Sequence, residues 1–551
     1  METADEKKNT SEVEVDIDEV LEELGELGRY QTFIYVLICL PVLFAAENSL
    51  SYVFTAGEPS YRCYIPECEN FTTTSYKVPW IENAVPRNSE QNQLIGYITD
   101  PCTRYSVNIT EWMSNNQTCT ANIFDRDNIT RCSQWIFLEG ETTIVNEWSI
   151  TCIENQWMLS LIGTCHFSGI IVGSALFGIL ADKYGRKLIF VFSIVLMSIS
   201  GVMQIWSKNY TTFAILIFIN SMGTAGVYPL AFVLGVELVG KRKREVTGIV
   251  LNYFYAVGEA LVALIAWLVQ DWKYLQFLVS APAIIFLGYY WIIPESVRWL
   301  LANSRSQKAR SIVLKVAKYN RVELSETLLM SFDPKTVANK PENTTESSGI
   351  LPIVKEMLHS RKLLVRFVVI LFIWAVNAFV YYGLSINSTS LSGNKYVNFA
   401  LVSLIEIPGY SLAWISIQTI GRKPSLVLSL LLSGVTCTLT IFLTDVVGYW
   451  MVILLFLLGK MGITSAFGVV YVHTAEMLPT RIRSGGVGMA STSARLGALL
   501  APFVPLLGVY MKSLPMLLFG GLGIVAGLFA FKLPETLGQK LPETVAEAED
   551  L

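Results

Sequence analysis

Twelve stretches of mostly apolar residues, separated by polar connections, dominate the pattern of the chain. A bilayer hydrocarbon core of about 30 Å takes about 20 such residues per helix, and the stretches have that length. The first six run from 31 to 53, 157 to 181, 187 to 206, 212 to 239, 246 to 269 and 274 to 293. The second six run from 364 to 385, 396 to 419, 425 to 444, 450 to 474, 485 to 510 and 514 to 532. The pattern predicts an all-α membrane protein with twelve transmembrane helices in two six-helix halves. Residues 1–30 are then an N-terminal segment and 31–293 a first bundle carrying a long polar loop at 54–156. Residues 294–363 form a linker, 364–532 a second bundle and 533–551 a tail. In the linker, Ala309, Ile312, Val313 and Val316 recur at the spacing of one helix face, which predicts short amphipathic helices.

Composition sharpens this picture. The 551 residues are 52% hydrophobic and 16% charged, against about a quarter charged in soluble domains, so the apolar excess has to meet lipid. Net charge is −4, and the 41 lysines and arginines gather in short loops rather than along a stripe or groove, which argues against a nucleic-acid surface. Residues 1–30 carry Asp16, Asp18, Glu19, Glu22 and Glu23 and lack the apolar core of a cleaved leader, so the first apolar stretch is expected to insert by itself. Basic residues mark alternate loops: Lys183, Arg186 and Lys187; Lys241, Arg242, Lys243 and Arg244; Arg422 and Lys423; Arg481 and Arg483. By the positive-inside rule these loops and both termini face the cytoplasm. The loop 54–156 then lies outside. It holds six of the nine cysteines, Cys63, Cys68, Cys102, Cys119, Cys132 and Cys152, a set that fits three disulfides in an oxidising compartment, with all fifteen connectivities open. Asn70, Asn108, Asn116 and Asn128 stand in the same loop in glycosylation sequons.

Three features recur between the halves at nearly constant distance. Gly185-Arg186-Lys187 returns as Gly421-Arg422-Lys423 at an offset of 236, Glu237 as Glu476 at 239, and Pro294-Glu295-Ser296 as Pro534-Glu535-Thr536 at 240. Two bundles of common origin follow, the architecture of transporters that alternate access around a central site. Gly178-Ile-Leu-Ala-Asp182-Lys-Tyr-Gly185-Arg186-Lys187 resembles the signature loop of the major facilitator superfamily between its second and third helices. Glycine there permits a tight turn and close helix approach, while Asp182, Arg186, Glu237, Arg244, Glu295, Arg298 and Glu476 are charge-pair candidates for a conformational latch. Leu24-Gly25-Glu-Leu-Gly28-Arg-Tyr-Gln31, the long cysteine-bearing loop, Glu147-Trp148 and Pro534-Glu535-Thr536-Leu537 narrow the likeness to the organic cation, organic anion and carnitine transporter family. That resemblance spans nearly the whole chain. It implies a plasma-membrane transporter of small organic ions, with the lipid bilayer and a small solute as partners, a coupling ion optional, and no cofactor.

Site chemistry starts from charges at membrane depth. Arg495 lies mid-way along the eleventh stretch, where a charge costs about 2.5 to 3.5 kcal/mol on insertion scales and needs a partner or a wet cavity. In the family, anion and carnitine transporters carry arginine here and classical cation transporters aspartate, which implies a carboxylate-bearing substrate. A structural ion pair is the alternative. Tyr410 stands where anion transporters often have lysine and carnitine transporters tyrosine. Glu259 in the fifth stretch is a candidate for a substrate ammonium, or else faces a neighbouring helix, while Glu47, Glu406 and Lys460 read as structural residues near helix ends. Aromatic faces attract quaternary ammonium groups. Trp374, Tyr381, Tyr382, Tyr253, Tyr255 and Tyr471, with Asn48, are the candidate lining. His166, His473 and His359 fall in no metal-ligand spacing, and no phosphate loop or nucleophile triad appears, so neither an enzyme nor an ATP-driven pump is expected. The reading favours small organic cations or zwitterions of the carnitine or betaine kind. Organic anions come second, and a non-transporting receptor or a sugar carrier further behind.

Overall fold

The computed structural model describes residues 17–70, 75–87, 100–114, 119–325, 332, 360–444, 446, 448–480 and 482–550. Asn116, His359 and Arg481 lie outside the described residues. Among the described residues, eleven helices are long and apolar enough to cross a membrane. In the first half they are Arg29–Thr55, Gln156–Tyr184, Arg186–Trp206, Tyr210–Leu238, Lys241–Val269 and Trp272–Ile292. In the second they are Arg361–Ser390, Lys395–Thr419, Arg422–Leu443, Tyr449–Met477 and Arg483–Tyr510, and the shorter apolar helix Leu514–Ala530 completes the six. These are called spans 1 to 12 below. Each half has its own apolar core, one around Phe190, Met197 and Val227 and the other around Trp374, Phe456 and Phe519.

Breaks in the spans have local causes. A proline in a helix removes one backbone bond and pushes its ring against the carbonyl four residues earlier. Pro408 accordingly sits four residues after Leu404, where the eighth span divides into Lys395–Leu404 and Glu406–Thr419. Pro282 opens the tighter 3-10 stretch Ala281–Gly288 of span 6 in the same way. The break in span 8 places Glu406 in the interior of the bundle.

The loop between spans 1 and 2 folds on itself. Tyr61–Cys63 pairs antiparallel with Trp135–Phe137, and Thr103–Val107 with Phe124–Arg131. Disulfides join Cys63 to Cys132, Cys68 to Cys119 and Cys102 to Cys152, around a small core that includes Ile65, Val85 and Ile123. Asn70, Asn108 and Asn128 are exposed on it. Past span 6, the helices Val297–Ala302 and Ser306–Asn320 follow, the second burying Ala309, Val313 and Val316. Asn320 at its end accepts from the Tyr30 backbone N–H at 3.0 Å and donates to the Leu24 carbonyl at 3.0 Å and to Gln31 Oε1 at 2.8 Å, clasping the start of span 1. A Cβ on Gly28 would stand 2.3 Å from Asn320 Nδ2, which explains the glycine.

The repeated motifs share one geometry. Four N–H groups at a helix start have no partner inside the helix, and in both halves a carboxylate from beyond the sixth helix of that half supplies one. Glu295 accepts from the backbone N–H groups of Arg186 and Lys187, both at 3.1 Å. Glu535 accepts from those of Arg422 at 2.9 Å and Lys423 at 3.0 Å. Burial alone would raise the Glu535 carboxyl, but its backbone donors outweigh this and hold it below the usual carboxylate range. Gly185 and Gly421 make the approach possible, with φ of 113° and 101° and no room for a Cβ beside these carboxylates.

Gly185→Ala is therefore expected to destabilise the protein by about 1 to 3 kcal/mol, the scale of a strained backbone position. Gly178→Ala, where an added Cβ meets nothing within 4 Å, is expected to be neutral or slightly stabilising. Thermal unfolding of the two purified variants followed by size-exclusion fluorescence compares them, and equal midpoints would count against the cap geometry.

Candidate functional site

The middle of the molecule holds a compact set of charges. Lys460 of span 10 and Glu406 of span 8 form an ion pair at 2.8 Å, with neither side chain exposed. The lysine donates to Ser385 Oγ at 2.8 Å and to the Tyr381 carbonyl at 3.2 Å, and lies 3.3 Å above the Tyr381 ring centre. Glu259 of span 5 is fully buried beside Glu406, and neither of its oxygens accepts a hydrogen bond from the described residues. Glu259 belongs to the first half and the other two to the second, so this cluster joins the bundles. Tyr253 on span 5 and Ser411 on span 8 add a hydroxyl pair at 2.6 Å across the same boundary.

Arg495 has a different setting. It is half-buried on span 11 and forms no ion pair among the described residues. Tyr382 and Tyr471 both lie within range of its charge, and Tyr382 also within range of Glu259. Tyr471 is 43% exposed although protein surrounds it, the signature of a wall of an interior cleft rather than of a lipid-facing ring. Tyr228, Tyr255, Tyr382 and Tyr410 share this character. The rings support one another edge to face: Tyr228 against Tyr255 at 5.5 Å, Tyr381 against Tyr382 at 5.0 Å, and Trp374 against Tyr471 at 4.2 Å.

The two ends differ. At the disulfide end the halves meet: Lys395 pairs with Glu141 at 2.5 Å, Phe54 packs on Tyr396 and Phe399, and a Cβ on Gly163 would lie 2.6 Å from Pro502. At the basic end the ion pairs among the described residues stay within each half. Arg186 pairs with Glu237, which also accepts from Ser296 Oγ at 2.5 Å. Arg422 pairs with Glu476, which accepts from Thr536 Oγ1 at 2.7 Å. One hydrogen bond, Gln418 Nε2 to Glu245 Oε2 at 3.2 Å, crosses between the halves there.

Several expectations from the sequence meet this geometry and change. Asn48 does not line the cleft. It is buried in a network of the first half, accepting from Asn220 and Ser280 and donating to the Phe44 and Val279 carbonyls. Trp374 is 1% exposed, its Nε1 donating to Thr474 Oγ1 at 2.9 Å, so it stands behind Tyr471. Tyr381 is buried beneath Lys460. Glu406 and Lys460 are interior rather than near span ends: Lys460 lies mid-way along span 10, and Glu406 opens the second helix of span 8 at the break in its middle. Arg244 and Arg298 pair with Asp18 of the helix Ile17–Glu23, not with Glu237 or Glu295. Asp182 adds its charge near Arg186 without a close ion pair and accepts from Trp299 Nε1 at its carbonyl. Burial would raise the Asp18 carboxyl, but Lys241, Arg298 and Arg244 together hold it below the usual range.

Comparisons with known proteins agree with the architecture. Residues 95–547 match the family model described as sugar (and other) transporter. The "Organic cation transporter protein" of Drosophila melanogaster is 34% identical over 97% of this chain and 94% of its own. The "Organic cation/carnitine transporter 2" of Homo sapiens is 32% identical over 96% of this chain and 93% of its own. The solved E. coli xylose transporter XylE, in a partially occluded inward-open conformation, superposes with a TM-score of 0.60 at 17% identity. That match covers 93% of this chain and all of XylE.

Removing one partner of a buried pair strands the other, at a cost of about 3 to 5 kcal/mol. Lys460→Met is expected to lose most folded protein at neutral pH, and adding Glu406→Gln to recover much of it. Yield of monodisperse protein from the two variants checks this, and equal yields would mean that the pair does not hold the fold.

Proposed function

The chain belongs to the family of sugar and other transporters, on its organic cation and carnitine branch, and from that premise we propose that it moves small organic cations or zwitterions of the carnitine or betaine type. One observation carries the substrate class: Arg495 is a cation at membrane depth, on the wall of a cleft, with no carboxylate of the described chain to pair with. A charge there needs a counter-ion, and the planar guanidinium binds a carboxylate through two parallel hydrogen bonds. Tyr255, Tyr382, Tyr410 and Tyr471 present ring faces suited to a quaternary ammonium, backed by Trp374 and Tyr381. Glu259 supplies the opposite charge for the substrate ammonium. Organic anions are the second reading, favoured by the same arginine and opposed by two buried carboxylates.

In this reading the basic end and both termini face the cytoplasm, the disulfide domain faces outward with its exposed sequons glycosylated, and the membrane is the plasma membrane. The contacts of Lys395, Phe54 and Gly163 then close the outer side, so solvent reaches Tyr471 from the cytoplasm. Outward opening separates these contacts and brings the basic ends together. The Arg186–Glu237 and Arg422–Glu476 pairs, the Glu295 cap and the Asp18 contacts of Arg244 and Arg298 hold each bundle rigid while it rocks.

Uptake of labelled carnitine, tetraethylammonium and a dicarboxylate into cells expressing the chain, beside Arg495→Ala at matched surface abundance, tests the proposal. Arg495→Ala is expected to weaken carnitine affinity about 10- to 100-fold, the worth of charged hydrogen bonds, and to affect tetraethylammonium far less. Dicarboxylate uptake in place of carnitine uptake would install the anion reading. Carnitine uptake indifferent to the substitution would make Arg495 structural.

A further inference from the structure

The contact between the two halves changes character with depth. At the disulfide end they share one apolar core, in which Tyr52, Ile162 and Phe213 of the first half lie with Ile386, Phe399 and Ala501 of the second. Further in, each half keeps a core of its own, with one exception. Phe167 of span 2, 3% exposed, lies in the core of the second half, the one first-half residue there among the described residues. Phe167 stands 17 residues from the basic end of span 2 at Tyr184, Arg495 12 from that of span 11 at Arg483, and Tyr471 six from that of span 10 at Met477. By this count the ring lies between the shared core and the wall of the cleft.

Local geometry puts it there. Residues four apart share a helix face, and Gly163, one turn before Phe167, brings that face against the second half, where an added Cβ would stand 2.6 Å from Pro502. Gly169 lets the same helix lean on span 4, with no room for a Cβ beside the Phe218 carbonyl. His166 holds the ring from behind, edge to face at 5.2 Å, and is itself fixed by Nδ1 to Ser221 Oγ at 2.6 Å. In front, Phe167 meets Tyr382 of span 7 edge to face at 4.8 Å, and Tyr382 rests on Tyr381 at 5.0 Å. Tyr382 is half-buried, with the cleft beside it. A phenyl ring carries no charge and no hydrogen-bonding group, so this contact can part without stranding a polar partner.

We propose that Phe167 is a plug, a ring of one half that seats in the core of the other and seals the cleft on its disulfide side, and that it must leave this seat for the cleft to open there. The inference takes the cleft as the transport route and requires no particular substrate. Burying a phenylalanine favours the seated state about 10- to 100-fold over a wetted one. That is enough to keep one side shut and small enough to be undone in every cycle.

The test uses the full-length chain in cells with Arg495→Cys as a reporter in the cleft. A membrane-impermeant methanethiosulfonate is added from the disulfide side, and labelling is counted above that of the chain with Arg495 in place. With Phe167 present the reporter is expected to label slowly. Adding Phe167→Ala is expected to raise the rate at least tenfold. Adding Phe167→Leu, which keeps apolar bulk without the ring, is expected to raise it about threefold, and this variant decides if Phe167→Ala does not reach the surface. Rates from the disulfide side that are equal with and without the ring, at matched surface abundance, overturn the plug. Labelling needs no transport, so an absence of carnitine uptake overturns the substrate reading and leaves this result standing.

Discussion

A lysine with no exposed atom, paired with one buried carboxylate while a second carboxylate from the other bundle stands in range of its charge, is the constraint around which this molecule is arranged. In hydrocarbon a charge survives only if it is paired and hydrogen-bonded. Lys460 meets that demand by drawing span 7, through Ser385 and the Tyr381 carbonyl, and span 8, through Glu406, onto span 10. Glu259 then brings span 5 of the other half to the same point. The second half is thus tied internally by a salt bridge and hydrogen bonds, and it meets the first half both here and at the disulfide end.

The ends of the molecule use a different and more symmetrical device. Each half caps the start of its third helix with a carboxylate reached from beyond its sixth, at Glu295 and Glu535, over a glycine with positive φ. Each pairs the following arginine with the glutamate near the end of its fourth helix. The symmetry ends there. Only the first half draws a carboxylate from the chain terminus, Asp18, against Arg244 and Arg298. The second half instead receives the tail helix Val545–Asp550, to whose terminal carbonyls Lys362 and Arg366 donate.

How far the sequence carries depends on the range of the interaction. Span positions were legible because hydrophobic length is a local property, and the observed helices begin and end close to the apolar stretches. The repeated motifs were legible because two copies at a constant offset mark a shared geometry. Disulfide pairing was not, since six cysteines in one loop carry no local signal of which pair meets. Asn48 was misplaced because an amide in an apolar helix reads equally as a ligand group or as a hydrogen-bond hub, and only the positions of Asn220 and Ser280 separate the two. Glu406 was misjudged because Pro408 breaks the helix pattern in the middle of span 8, and Lys460 because nothing local shows that its partner Glu406 lies on another span. Asp18 was missed because its three basic partners lie more than 200 residues away.

In the function we propose, Arg495 is the contact for a substrate carboxylate and Glu259 the contact for its ammonium. In the proposed reading the arginine, which has no ion-pair partner among the described residues, selects for a substrate carboxylate through its planar guanidinium. A zwitterion satisfies both residues with one molecule, and a simple cation satisfies only the carboxylate. On that reading the same cleft accepts either, with the arginine setting how strongly it prefers the zwitterion. Tyr382 is in range of both charges, and on the proposed reading it marks the separation that a well-matched substrate spans.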